Sequence, residues 1–330
     1  MNWNIFAPQS LQTRIELEEI VAIERQIITP ALSVPIIGIK QDGLIGAYNL
    51  TQPSMKVDWK SAMNIMSYTT IDDFTAFKKN TEYNGIDLFS MIIPDGINST
   101  GAVEVKNGKI EKGVIDSKML GAKKAHNLIH LIWDQYGIDS TTEFINNVQR
   151  LINNFNMWNS FSVGIGDIDV SKELEEEIHK MIETKKLEVK HLITEMENNP
   201  DLVDREVAEE TISALLGTIL AEVSKLVMGK LKSENSFKVM VSSGAKGSDT
   251  NIGQIGGCLG QQNVEGTRPL KKMNGRALPY FAQGDDSAQA RGFIEQSFVK
   301  GVKPIEFIFA NMSGREGLID TAISLVAGIS

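Results

Sequence analysis

FKVMVSSGAKGSDTNIGQIGGCLGQQNVEGTRP, residues 237–269, decides how the chain is to be read. It is rich in glycine and small polar residues, the texture of loops between short elements. Gly253, Gly256, Gly257 and Gly260 recur at short steps that let a helix approach a neighbour closely. They form no dinucleotide fingerprint, because no strand with the right acidic partner surrounds them. GAKGSD is not a phosphate loop either, since that requires Gly-Lys followed by Ser or Thr. Lys246 stands between small residues in SGAKGS. Composition leaves open whether it is simply solvated or approaches a phosphate backbone, with exposed N–H groups beside it. Cys258 is the only cysteine, lies between Gly257 and Leu259, and has no His near in sequence. It reads as a buried thiol, and it excludes an intrachain disulfide and a cysteine-based zinc site.

Upstream, apolar residues recur at helical spacing through Leu174, Ile178, Met181, Val189, Leu192 and Met196. Asn198-Asn199-Pro200-Asp201 breaks that pattern, with Asp201 as an expected cap for the next helix. A second run, Ile212, Leu215, Ile219, Val223 and Leu226, completes a long antiparallel helical hairpin. Residues before about 165 are mixed α and β. SVPIIGIKQDGLIGAY predicts short strands joined by tight turns, and Asn107-Gly108 predicts a hairpin turn because both residues tolerate positive φ. SAMNIMSYTT and TTEFINNVQRLINNF predict helices. After residue 286, helices are expected around GFIEQSFVKG and from Pro304, which suits a first helical turn. The fold class expected is therefore α+β and multidomain, with a mixed α/β part, a helical hairpin and a long terminal helix.

Composition excludes disordered, collagen-like and disulfide-framework proteins: of 330 residues, 42% are hydrophobic and 23% charged. With 33 basic and 42 acidic side chains the net charge is −9, which taken whole argues against nucleic-acid binding. The distribution is uneven. Residues 171–210 carry 13 acidic and 6 basic side chains, whereas 225–276 carry 9 basic and 3 acidic. The acidic hairpin hides a basic patch in the glycine-rich region. TISALLGTILAEVSKLVMG contains Glu222 and Lys225, so a membrane span is not expected, nor does the amino terminus resemble a signal peptide.

Three constellations invite chemistry. His126 and His130 in HNLIH would share a helix face, but Asn127 stands where a metalloprotease needs its Glu, and no third ligand is apparent; a structural role is favoured. Gly284-Asp285-Asp286 resembles a polymerase hairpin motif, yet its polar flanks suit a capped helix start better. Asp167 and Asp169 are the nearest approach to a carboxylate cluster.

At SGAKGS the sequence resembles the largest subunit of multisubunit DNA-directed RNA polymerase, in its eukaryotic, archaeal and large-DNA-virus branch. The resemblance runs over about residues 4–323. It is carried by APQSLQTRIELEE, FSVGIGD, SGAKGS, GQQNVEG, RALPYFAQGDDSAQARGF and GREGLIDTA in that order. It implies a pore domain over 1–167, a funnel domain over 168–283 that lines the inlet for nucleoside triphosphates, and over 284–330 the start of the cleft domain with the first part of the bridge helix. It implies that Arg315, Glu316, Thr321 and Ala322 lie near the active centre. Lys246, Ser248, Gln261, Gln262 and Glu265 would then lie where funnel meets bridge helix and line the nucleic-acid or triphosphate channel.

The same resemblance implies DNA-templated RNA synthesis in an assembled enzyme, with no catalytic residue in this chain and magnesium bound outside it. The family's Asn-Ala-Asp-Phe-Asp-Gly-Asp metal motif would precede Asn4, and it is absent. So is the trigger loop. Trp3 replaces a usual Met, Ser313 a usual Gly, and Ser324–Ser330 departs from the family pattern. One internal piece of a split gene, bounded by intron or intein sequence, is expected, and a piece unstable by itself. Implied partners are the rest of the subunit, the second-largest subunit, DNA template, RNA–DNA hybrid, nucleoside triphosphates and a transcript-cleavage factor. The implied location is intracellular: host cytoplasm or virion if viral, nucleus if cellular. The alternative is a non-catalytic protein that binds a polymerase or a cleavage factor.

Overall fold

A computed structural model describes residues 5–198 and 204–327. The chain forms two units, one of residues 1–162 with 239–246, the other of residues 163–238 with 247–330. Helices dominate, and the described strands form four separate two-stranded antiparallel pairs. This mixture agrees with an α+β class.

In the first unit a short helix α1 (Leu11–Glu16), capped by Ser10, precedes the ladder of β1 (Ile28–Thr29) with β2 (Val34–Pro35). Next come α2 (Asp42–Leu50), β3 (Lys56–Asp58), α3 (Trp59–Met66), β4 (Glu82–Asn84) and α4 (Gly85–Ser90). β3 pairs with β4. β5 (Glu104–Lys106) and β6 (Lys109–Lys112) form the hairpin expected at Asn107-Gly108, whose φ values of 47° and 77° match a turn that glycine and asparagine tolerate. Two further helices follow, α5 (Ser117–Leu120) and α6 (Leu128–Trp158), and the later stretch 239–246 joins the same unit.

The expectation of strands through DGLIGAY is corrected, because that segment is α2. Its glycines serve packing rather than turns. A Cβ on Gly46 would lie 2.4 Å from Ile152 and one on Gly43 2.5 Å from Ile39, so only glycine lets α2 lie this close to α6 and to the preceding segment. Around them Leu50, Leu88, Phe89, Ile97, Ile115, Ile129, Phe144 and Leu151 form one continuous apolar core. Buried Thr51 serves it twice, donating to the Ala47 carbonyl at 2.8 Å and accepting the Ile115 N–H at 2.9 Å.

In the second unit the hairpin of α7 (Lys172–Asn198) and α8 (Arg205–Lys230) buries Leu174, Ile178, Ile182 and Val189 with Ile212, Leu216, Ile219, Val223 and Val227. The buried positions include 182, 216 and 227 where the pattern had suggested 181, 215 and 226. Lys230 Nζ, at the end of α8, lies 3.6 Å from Glu177 near the start of α7, as an antiparallel pair brings about. The expected cap Asp201 lies outside the described residues; Asp204 caps α8 by accepting the Glu206 N–H at 3.0 Å. By length and composition α8 could cross a membrane. In this unit its apolar stripe is spent on packing.

The loop after α9 (Ser236–Ser242) leads to α10 (Asp249–Gly256). A Cβ on Gly253 would fall 2.1 Å from Ser224 Oγ and one on Gly257 2.3 Å from Val223, so the glycine spacing provides close helix packing on α8, as expected. β7 (Gly260–Gln261) pairs with β8 (Phe293–Ile294). Two expectations are corrected here. GFIEQSFVKG is strand and turn rather than helix, and Gly284-Asp285-Asp286 opens turns rather than a helix. α11 (Pro304–Ala327) closes the described chain, with Pro304 in its first turn.

Candidate functional site

The loop following β7 is built by a tight turn. Val264 and Thr267 exchange backbone hydrogen bonds at 2.8 and 3.2 Å, with Glu265 at φ 54° and Gly266 at φ 76° between them. This turn aims the Glu265 N–H at α11, where both carboxylate oxygens of Glu316 accept it at 3.0 and 2.9 Å. Of the expected site residues, Glu265 and Glu316 are thus brought into direct contact. Gln261 and Gln262 sit at the root of the same loop. Gln261 Nε2 donates to the carbonyls of Gln262 and Arg291, both at 2.8 Å, while its Oε1 is buried without a protein partner. The Gln262 N–H reaches the Gly292 carbonyl at 2.9 Å.

Arg315, Thr321 and Ala322 are exposed on α11, and Thr321 Oγ1 bonds back to the Gly317 carbonyl at 2.8 Å. The helix changes character along its length. Phe309 is buried against Leu259, Leu278 and Ile294, but Leu318, Ile319, Ile323 and Leu325 are all exposed. Ser248 is exposed and caps α10 in a reciprocal pair with Asn251. Lys246 is exposed and belongs to the first unit, whereas the other eight expected site residues belong to the second. Its neighbour Ala245 packs on that unit's core, and the Ser117 N–H donates to the Ser243 carbonyl at 2.9 Å.

A charged cluster unforeseen in the sequence holds the loop. Arg268, with no exposed side-chain surface, grips Glu209 of α8 through two bonds of 3.0 and 2.9 Å. Arg291 bonds to Glu209, to Asp286 and to the Pro269 carbonyl, and Lys271 reaches Asp286 at 2.6 Å. Burial pushes the Asp286 carboxyl up, but the bonds from Lys271 and Arg291 outweigh it and hold the group below the usual carboxylate range. Bidentate pairing of this kind is what lets guanidinium groups be buried. The one sequence signal was an arginine set among small and apolar residues, in both TRPL and QARGF.

Asp167 and Asp286 are taken up by partners within the chain. Asp167 accepts the N–H groups of Gly164 and Ser236 at 2.8 and 3.2 Å, and these bonds lower its pKa. Asp286 is neutralised by two cations. Among the described residues no three metal-ligating side chains converge. His126 lies outside α6 at φ 56°, and its N–H donates to His130 Nδ1 at 3.2 Å, so the expected shared helix face is corrected to a stacked pair. Cys258 is fully buried, and burial pushes its thiol up to about 12, which leaves it no nucleophilic role.

Comparison with known proteins places this architecture among RNA polymerase subunits. Residues 26–168 match RNA polymerase Rpb1, domain 3, and residues 188–294 match RNA polymerase Rpb1, domain 4. Over 322 residues, 97% of the chain, it is 38% identical to DNA-directed RNA polymerase subunit 1 of Acanthamoeba polyphaga mimivirus. The chain belongs to the family of the largest RNA polymerase subunit. It spans 22% of the length of that mimivirus relative.

Proposed function

We propose that this chain supplies the pore, the funnel and the first part of the bridge helix of a DNA-directed RNA polymerase. Residues 1–167 form the pore, 168–283 the funnel lining the triphosphate inlet, and α11 begins the bridge helix. The observation that carries this reading is the junction between Glu265 and Glu316. There the glycine-rich loop is fastened to the middle of α11, beyond which the helix presents side chains to its surroundings all round. Such a helix is anchored at one end and free to meet template and hybrid at the other. Arg315, Glu316, Thr321 and Ala322 stand on that active-centre stretch, Ser248, Gln261, Gln262 and Glu265 are assigned to the junction and channel, and Lys246 is the channel residue contributed by the first unit.

Nucleotidyl transfer needs magnesium ions that clamp the attacking and leaving oxygens. We assign the metal-holding aspartates to another part of the assembled enzyme; here Asp167 and Asp286 each have hydrogen-bond partners of their own. The partners are the remaining subunit segments, the second-largest subunit, DNA, RNA–DNA hybrid, nucleoside triphosphates and a transcript-cleavage factor. The location is intracellular. Reconstitution with the flanking segments and a magnesium-dependent transcript-extension assay tests the reading. Activity is expected only with the aspartate-bearing segment present, and is expected to fall with Arg315→Ala. Thr321→Pro, which breaks a helix at a cost of about 3 kcal/mol, should abolish it. Full activity in the Thr321→Pro enzyme would refute the assignment of α11.

A further inference from the structure

The first unit carries a strip of cations that the polymerase reading does not use. Residues 119–133, MLGAKKAHNLIHLIW, contain two lysines, two histidines and no carboxylate. The loop within it is held in an unusual shape. Lys123 at φ 60° and His126 at φ 56° both occupy the left-handed region, which residues other than glycine populate sparsely. Lys123 donates its N–H to the Pro35 carbonyl at 2.7 Å, and Asn127 Nδ2 donates to the Gly121 carbonyl at 2.8 Å. The Ile39 N–H donates to the Leu120 carbonyl at 2.9 Å. A Cβ on Gly38 would fall 2.4 Å from the Ala122 nitrogen, so only glycine permits this approach. These bonds lay residues 35–39 antiparallel to 120–123, which sets Lys40 at one end of the strip and Lys123 and Lys124 at the other.

The three lysines are exposed, and none enters an ion pair among the described residues. The carboxylates nearest in the chain are Asp42, in the first turn of α2, Asp116, which caps α5 by accepting the Lys118 N–H at 2.8 Å, and Asp134, 3.7 Å from His130 Nε2. We infer that Lys40, Lys123 and Lys124 form a binding strip for the phosphodiester backbone of a nucleic-acid strand. Two features favour a polymer over a single phosphate. The cations are spread along two chain segments instead of converging on one point. They are also all lysines, point charges on flexible stems that read successive phosphates without regard to base sequence. The hydrogen bonds to Pro35, Leu120 and Gly121 fix the loop before binding, so less order is lost when the strand arrives. The inference rests on the charge and geometry of this unit alone, so its failure would leave the polymerase assignment standing.

The test uses the full chain and a fluorescently labelled oligouridylate of about twelve nucleotides, with anisotropy read across a salt series. The double variant Lys123→Gln/Lys124→Gln should bind about tenfold more weakly, and its salt slope should drop by about 1.4, twice the single-strand value per phosphate. Lys109→Gln/Lys112→Gln removes the same charge from exposed, unpaired positions on β6 and should leave both quantities near the parent values. Circular dichroism melts verify that each variant is folded. Equal weakening in the two double variants would overturn the inference, since net charge alone would then explain it. Tripolyphosphate at matched phosphate concentration should displace the strand poorly. Efficient displacement would point to a free phosphate ligand, and preference for a polyglutamate peptide to an acidic protein; either result would overturn it.

Discussion

The first unit and the loop region of the second are held together by opposite means. The first is built on a single apolar cluster that includes Phe89 and Ile97, and its buried hydroxyls, Thr51, Thr141 and Ser243, each donate to a backbone carbonyl. The loop region of the second is held by the ionic network of Arg268, Arg291, Glu209, Asp286 and Lys271, set beside a small apolar cluster around Phe309. An apolar core tolerates exchange of one hydrophobe for another of similar volume. A buried ionic network does not, because each group is placed by the others and loss of one strands its partner. The second arrangement suits loops that must keep a definite shape without enough apolar surface to bury.

Substitutions can test this contrast, and the tryptophans make the readout selective: all four lie at or before residue 158, so their fluorescence reports on the first unit. The largest effect is expected from Phe89→Ala, a loss of about 4 kcal/mol in urea unfolding followed by tryptophan emission. A loss below about 1 kcal/mol would show that the cluster is not the unit's core. Next comes Arg268→Ala, which leaves Glu209 short of its bidentate partner at a cost of about 3 kcal/mol. Hydrogen exchange at the Gln262 amide should accelerate while tryptophan emission stays unchanged, and a shift in the emission transition would refute the separation of the two units.

Gly253→Ala drives a methyl group into Ser224 on α8 and should cost about 2 kcal/mol, read as faster exchange along α8 and α10. Glu316→Gln is expected to be mildest, at about 1 kcal/mol, because a neutral amide oxygen still accepts the Glu265 N–H. Its mark should be local, a faster-exchanging Glu265 amide with neighbours unaffected. Acid provides a further probe. The Asp286 carboxyl is held below its unfolded value near 4, so its contribution is present above that pH and lost as pH falls through the lower folded value. In Asp286→Asn the second unit should lose stability less steeply with acid; an unchanged acid profile would remove Asp286 from the network.

Where apolar spacing or turn chemistry specifies structure, the sequence was legible. The α7–α8 hairpin, the Asn107-Gly108 turn, the start of α11 at Pro304 and the packing role of Gly253 all rest on such signals. DGLIGAY misled because glycine serves turns and close helix contacts alike, and only the partner, here α6, distinguishes them. GFIEQSFVKG misled because pairing with β7 overrides a modest helical preference. The junction of Glu265 with Glu316 joins positions 51 residues apart through a backbone N–H, which leaves no trace in side-chain pattern. The ionic network was hidden for a similar reason: its five members come from α8 and two separate loops.

Cys258 has a practical consequence. A thiol pushed up to about 12 exposes roughly one thiolate in 10⁵ molecules at neutral pH, and this one is also fully buried. Maleimide reagents should therefore pass it by, and the native chain should behave as though it had no cysteine. Cysteines introduced at exposed Lys109 in one unit and Glu210 in the other would be the reactive pair, with the native sequence otherwise intact. Fluorophores on that pair would give a molecular ruler between the units, in the free chain and again in the assembled enzyme.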